Sequence, residues 1–257
     1  MATLAGAADL AHREARFFFI MALLMAATTV GGFALMAAMG VSSFERPVLY
    51  HVHALVFLSW VALYVGQNAL IFRGNIALHR RMGKLSLLLI PTMVILAVWL
   101  TFTTLRVLGG PPFFGQAEFL FVNLAHIAAF AILAGYALAK RRETDWHRRL
   151  MFGAMATVGS PGLARLLPLP LTIPYTFTVV FIAAALFPII GMIADKRLHG
   201  SVHRAWLWTL VVPFAALAIG EIVASTDWAQ DYTAAHVAGY PGGERPAEAF
   251  VPPDFGV

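Results

Sequence analysis

Seven stretches of the chain are apolar over most of a membrane's width and are parted by short polar segments: residues 17–40, 48–72, 85–108, 119–139, 150–168, 172–194 and 205–225. A helix rising ~1.5 Å per residue needs about 20 apolar residues to cross the hydrocarbon core. The pattern therefore predicts an all-α, polytopic membrane helix bundle of seven transmembrane helices over residues 1–225. The fifth run is the weakest, because its Gly159-Ser160-Pro161-Gly162 cluster predicts a break or kink unless neighbouring helices satisfy the freed backbone groups. The first run, at about 23 apolar residues, is longer than the apolar region of a secretory signal and reads as a permanent helix.

The polar segments set the orientation. Arg13 and Arg16 precede the first run, Arg73, Arg80, Arg81 and Lys84 join the second and third, Lys140, Arg141, Arg142, Arg148 and Arg149 join the fourth and fifth, and Lys196, Arg197 and Arg204 join the last two. Only Arg46, Arg106, Arg165 and Arg245 fall on the other side. The positive-inside rule then puts the N-terminus in and the C-terminus out, in the inner (cytoplasmic) membrane of a bacterium. Residues 226–257 carry Asp227, Asp231, Glu244, Glu248 and Asp254 with one base, and are expected to form an external, irregular, acidic tail in which Trp228, Tyr232, Tyr240 and Phe250 could act as anchors.

Composition narrows the classes further. With 60% hydrophobic and 12% charged residues, against roughly a quarter charged in soluble domains, a soluble monomer is excluded and the lipid bilayer is the main partner. The net charge of +5 is a topological signal and does not point to nucleic acid. The absence of cysteine removes disulfides, thiolate metal sites and cysteine nucleophiles. The last run has neither the lysine of a retinal protein nor the histidine pair of adiponectin-receptor-like hydrolases, and no serine has an identifiable base. Met21, Met25, Met36 and Met39 read as soft packing in the first helix.

A phrase recurs at the cytoplasmic turns: Leu78-His79-Arg80-Arg81-Met82-Gly83-Lys84, Trp146-His147-Arg148-Arg149-Leu150 and Val202-His203-Arg204-Ala205-Trp206. It suggests a degenerate hairpin repeat, although basic residues are also favoured wherever helices meet phosphate headgroups. Over residues 48–168, His53, the first phrase, His126, the second phrase and Arg165 together resemble an uncharacterised family of bacterial polytopic inner-membrane proteins. That resemblance implies membrane location and a shared site, without a reaction.

Ionisable groups inside the spans are costly and are the place to look for function. His53 shares a helical face with Phe57, Trp60, Tyr64 and Gln67, and is expected to point inward while His51 sits at the outer interface. Asn123 and His126 share a face on the fourth helix. Together with Arg106, Arg165 and Glu221 they are expected to form one polar layer in the outer leaflet. Two facing imidazoles there suit the axial ligation of a haem b, with Arg165 and Arg106 for its propionates, in a redox protein serving quinol. The alternative is a non-redox accessory or transport protein whose layer binds a small polar or amphiphilic ligand, such as a quinone or a carboxylate. A divalent metal ion on His53, His126 and Glu221 is a third option. Beside these stands a purely structural account, in which His126 bonds Asn123 or a neighbouring helix and Glu221 pairs with Arg165.

Overall fold

A computed structural model describes residues 2–42 and 45–252, with side chains from residue 6 onward. Among the described residues all regular structure is helical. The long helices are α1 (Ala2–Ala38), α2 (Val48–Phe72), α4 (Ser86–Leu108), α5 (Gln116–Ala139), α6 (Thr144–Ala164), α7 (Thr176–His199) and α8 (Ala205–Ala224). Two short ones, α3 (Ile76–Met82) and α9 (Asp227–Val237), lie at a turn and in the tail. Each of the seven apolar runs forms a helix, and six are long and apolar enough to cross a membrane, with α6 outside that set. Their outward faces present Leu55, Leu88, Ile95, Trp99, Leu186 and Ile222 as exposed apolar groups, which suits contact with lipid.

The helix that fails the hydropathy measure is the centre of the molecule. α6 packs against α1, α5, α7 and α8, and 13 of its 21 residues are buried. A helix surrounded by protein has no need of a lipid-facing apolar coat, so its sequence is short, small and polar at one end. Small residues let its neighbours approach closely: a Cβ on Gly162 would fall 2.5 Å from the Thr29 Cα of α1, and one on Gly153 would fall 2.4 Å from the Thr209 Cγ2 of α8. Glu14 of α1 bonds Arg149 of α6 at one end, while Gly32 of α1 abuts Gly162 of α6 at the other. The two helices therefore run parallel.

The break expected at Gly159–Gly162 does not occur, since α6 continues through Pro161 to Ala164. Proline has no N–H, so the carbonyl four residues earlier, that of Thr157, loses its helical partner. His126 Nε2 lies 2.8 Å from that carbonyl and supplies the missing donor. A carbonyl only accepts, so Nε2 carries the proton.

The turn histidines of the repeated phrase tie hairpins together. His147 Nδ1 donates to the Ala137 carbonyl at the end of α5, 2.8 Å away, and the backbone N–H of His203 donates to Asp195 of α7.

The tail departs from the irregular form expected of it. It opens with α9, capped by the Thr226 hydroxyl accepting from Ala229 N, and is then strapped to the α4–α5 connection. Arg245 donates to the carbonyls of Gly109, Gly110 and Phe114, Gln116 Nε2 donates to Gly242 O at 2.9 Å, and Phe250 N donates to Pro112 O at 2.8 Å. Gly242 is required there, because a Cβ would fall 1.8 Å from the Leu105 carbonyl. Asp254 lies outside the described residues.

Candidate functional site

The first turns of α2 point His53 inward and leave His51 exposed, with His51 Nε2 3.1 Å from the Arg46 carbonyl. The His53 ring stacks on Phe57 with 4.0 Å between centroids, and lies against the Leu96 carbonyl of α4 and within electrostatic reach of Arg165. Its Nδ1 is buried and has no hydrogen-bond partner among the described residues. A buried orphan nitrogen is unusual in a folded protein.

Arg165 caps the C-terminal end of α6. Its Nη1 donates to the Pro161 carbonyl at 2.5 Å, and its guanidinium sits 3.9 Å from the centroid of Phe33 on α1. The approach of Gly32 to the Gly162 carbonyl is what brings α1 to this point. Among the described residues no carboxylate forms an ion pair with Arg165. In the turn before it, Thr29 faces Gly159 and Gly162 with its hydroxyl buried and unpartnered.

The remaining members of the expected layer lie apart from this pair. His126 is turned toward α6, where Nε2 meets the Thr157 carbonyl and, at 3.1 Å, the Ser160 hydroxyl. The cavity beside it, lined by Ala184, Pro188, Thr209 and Pro213 among others, has a volume of about 20 Å³, enough for one water molecule. Arg106 leaves the layer for the tail, with its guanidinium 4.9 Å from the Tyr240 centroid. Among the described residues Glu221 forms no ion pair with Arg165; its carboxyl instead interacts with that of Glu118 at the start of α5. Among the described residues the group with ligand atoms at metal-binding spacing does not include His53, His126 or Glu221. As folded, His126 and its surroundings offer no slot for a porphyrin, and iron ligation by His126 would require it to abandon Thr157 and Ser160.

A second polar centre, unforeseen in the sequence, lies at the opposite end of the bundle. Arg149, 2% exposed, grips Asp195 with Nε and Nη2 at 2.8 and 2.7 Å. It also reaches Glu14 at 3.3 Å and the backbone of Asp145 at 3.0 Å. Arg148 pairs with Glu14 at 2.5 Å and with Asp145, His199 Nε2 is 3.1 Å from Glu14, and Trp206 Nε1 donates to Asp195 at 2.8 Å. Burial, followed by the charge of Arg149, holds the His203 imidazole below the usual histidine range. Glu14, Asp195 and His199 place ligand atoms within 4.8 Å of one another and could hold a metal ion. The guanidinium groups of Arg148 and Arg149 already neutralise both carboxylates. The available signal was the presence of acids, Glu14, Asp145 and Asp195 among them, in flanks dominated by bases.

No family model, curated protein or solved structure matches the chain.

Proposed function

We propose that this chain is a multi-pass protein of the bacterial inner membrane that binds a small anionic or amphiphilic ligand through Arg165 and His53, in the outer half of a seven-crossing bundle with its N-terminus in and its C-terminus out. The observation that carries this reading is the guanidinium of Arg165, held against Phe33 without a carboxylate partner among the described residues. An unpaired charge at such depth is costly, and a carboxylate or phosphate is the group that would offset it through paired N–H donors. The orphaned Nδ1 of His53 beside it supplies a second polar contact, suited also to the head of a quinone.

The count of seven rests on α6. Between Arg149 and Gly162 it covers about 20 Å of depth at the helical rise, alongside α1 and in the same direction. The bis-histidine haem stands second, supported by the same free nitrogen of His53 and opposed by the partners His126 already holds.

The test is a thermal-shift titration of the detergent-purified protein with octanoate, octyl phosphate and neutral octanol, beside absorption spectra of the oxidised and reduced forms. The two anions are expected to raise the Tm of the wild type by a few degrees, with octanol without effect and Arg165→Ala unresponsive. Equal shifts in wild type and Arg165→Ala would overturn the anion site. A Soret band lost in both His53→Ala and His126→Ala would put the haem in first place.

A further inference from the structure

The helix that follows the last crossing has three distinct edges. Ala229, Thr233 and Val237, four residues apart, form the seam that α9 buries against the bundle. One position before each of them come Trp228, Tyr232 and His236, which form a ladder: Trp228 stacks on Tyr232 at 5.6 Å between centroids, and Tyr232 on His236 at 6.3 Å. On the far side of the seam lie Asp227, Asp231 and Ala234, all exposed. A helix turns about 100° per residue, so the centres of the aromatic and acidic edges lie roughly 130° apart around α9, with Asp231 the acidic residue nearest Trp228.

The ladder has a definite height. Trp228 and Tyr232 meet Phe121 of α5 at 5.7 and 6.4 Å, and His236 meets Phe102 of α4 at 5.0 Å. Phe121 lies in the second turn of α5, and Phe102 lies six residues before the end of α4. α9 therefore folds back beside the first ~8 Å of α5 and the last ~9 Å of α4, by the rise per residue, and does not project beyond them. Trp228 is nevertheless 63% exposed and Tyr232 42% exposed. Large amphipathic rings, uncovered and level with the outer turns of two membrane-crossing helices, are the side chains that favour the headgroup region of a bilayer.

We infer that α9 is an interfacial helix, lying in the outer leaflet's headgroup–acyl boundary with Trp228 and Tyr232 against lipid and with Asp227 and Asp231 toward water. Its partner is the bilayer surface, and continuity with the exposed apolar faces of α4 and α5 selects lipid over a protein. Interfacial helices of this kind sit about 5–10 Å into that boundary, which matches the height set by Phe121 and Phe102. The strap formed by Arg245 then holds the end of the tail above it.

The absence of cysteine in the chain permits a direct test that leaves the anchors intact. Ala234→Cys and Ala235→Cys place single nitroxide labels on neighbouring exposed positions, the first on the acidic edge and the second on the aromatic edge. With the full-length protein in lipid vesicles, the label at 235 is expected to collide several-fold more with oxygen than with a water-soluble nickel chelate, and the label at 234 to show the reverse preference. Equal access of the chelate to both positions would overturn the proposal by placing α9 in water. Oxygen preference at both would equally overturn the assignment of the acidic edge. As a second readout, Trp228→Phe is expected to reduce the share of tryptophan emission quenched by brominated lipid, and an unchanged share would count against lipid contact at that ring.

Discussion

His126 owes its position to a proline on another helix. Because Pro161 cannot donate to the Thr157 carbonyl, an acceptor is left exposed in the middle of the bundle, and the imidazole N–H of α5 covers it at 2.8 Å. Both residues are plain in the sequence, and so is the four-residue offset from Pro161 to Thr157. What the sequence withholds is which helix lies alongside, so a structural hydrogen bond and a haem ligand look the same at that stage. The inward face of His53 was legible from its two-residue offset from His51, whereas the unpaired state of Arg165 was not, since Glu221 stands at a compatible depth yet is drawn to Glu118. Replacing His126→Ala strands a buried carbonyl and is expected to cost about 1–3 kcal/mol. Adding Pro161→Ala restores an N–H to Thr157 and should recover part of that loss. Unfolding of the single and double variants in mixed micelles measures the coupling, and strict additivity would mean that His126 does not serve the freed carbonyl.

At the scale of elements, α6 shows why hydropathy reads six helices well and a seventh poorly. A lipid-facing helix must be apolar around most of its surface, so α2, α4, α7 and α8 declare themselves through their exposed faces. α6 touches protein on nearly every side, and its glycines and alanines record close packing instead of lipid contact. Its first turns hold Arg148 and Arg149, which the sequence shows only as two more bases on the positive side. In the fold Arg149 ties α6 to α1 through Glu14 and to α7 through Asp195, while Trp206 brings in α8. Removing one partner from a buried ion pair leaves the other uncompensated. Arg149→Ala is therefore expected to destabilise the protein by about 3–5 kcal/mol, visible as a lowered Tm in detergent. Arg149→Ala combined with Asp195→Ala should lose much less than the two single losses added together. A full loss from each change would show that the two side chains act independently.

For the molecule as a whole, the two polar centres lie at opposite ends of one pair of parallel helices. The ion network joins Glu14 to Arg149 at one end, and Gly32, Phe33 and Arg165 meet at the other. A chain in which α1 and α6 run the same way, with four helices between them that include the short α3, has α1, α2, α4, α5 and α6 alternating in direction. α7 and α8 continue the alternation, because Asp195 near the end of α7 and Trp206 at the start of α8 both return to the network. On the proposed seven-crossing reading, alternating passes would put the two termini on opposite sides, and the basic loops would put the network end in the cytoplasm. A reporter enzyme fused after Val257 is then expected to be active only when it is of the kind that works outside the inner membrane. The same reporter fused after Arg142, in the α5–α6 turn, should be active only in its cytoplasmic form. Cytoplasmic activity at both positions would mean that α6 does not cross, and the strap that Arg245 builds over the α4–α5 connection would then have to be reached from the wrong side.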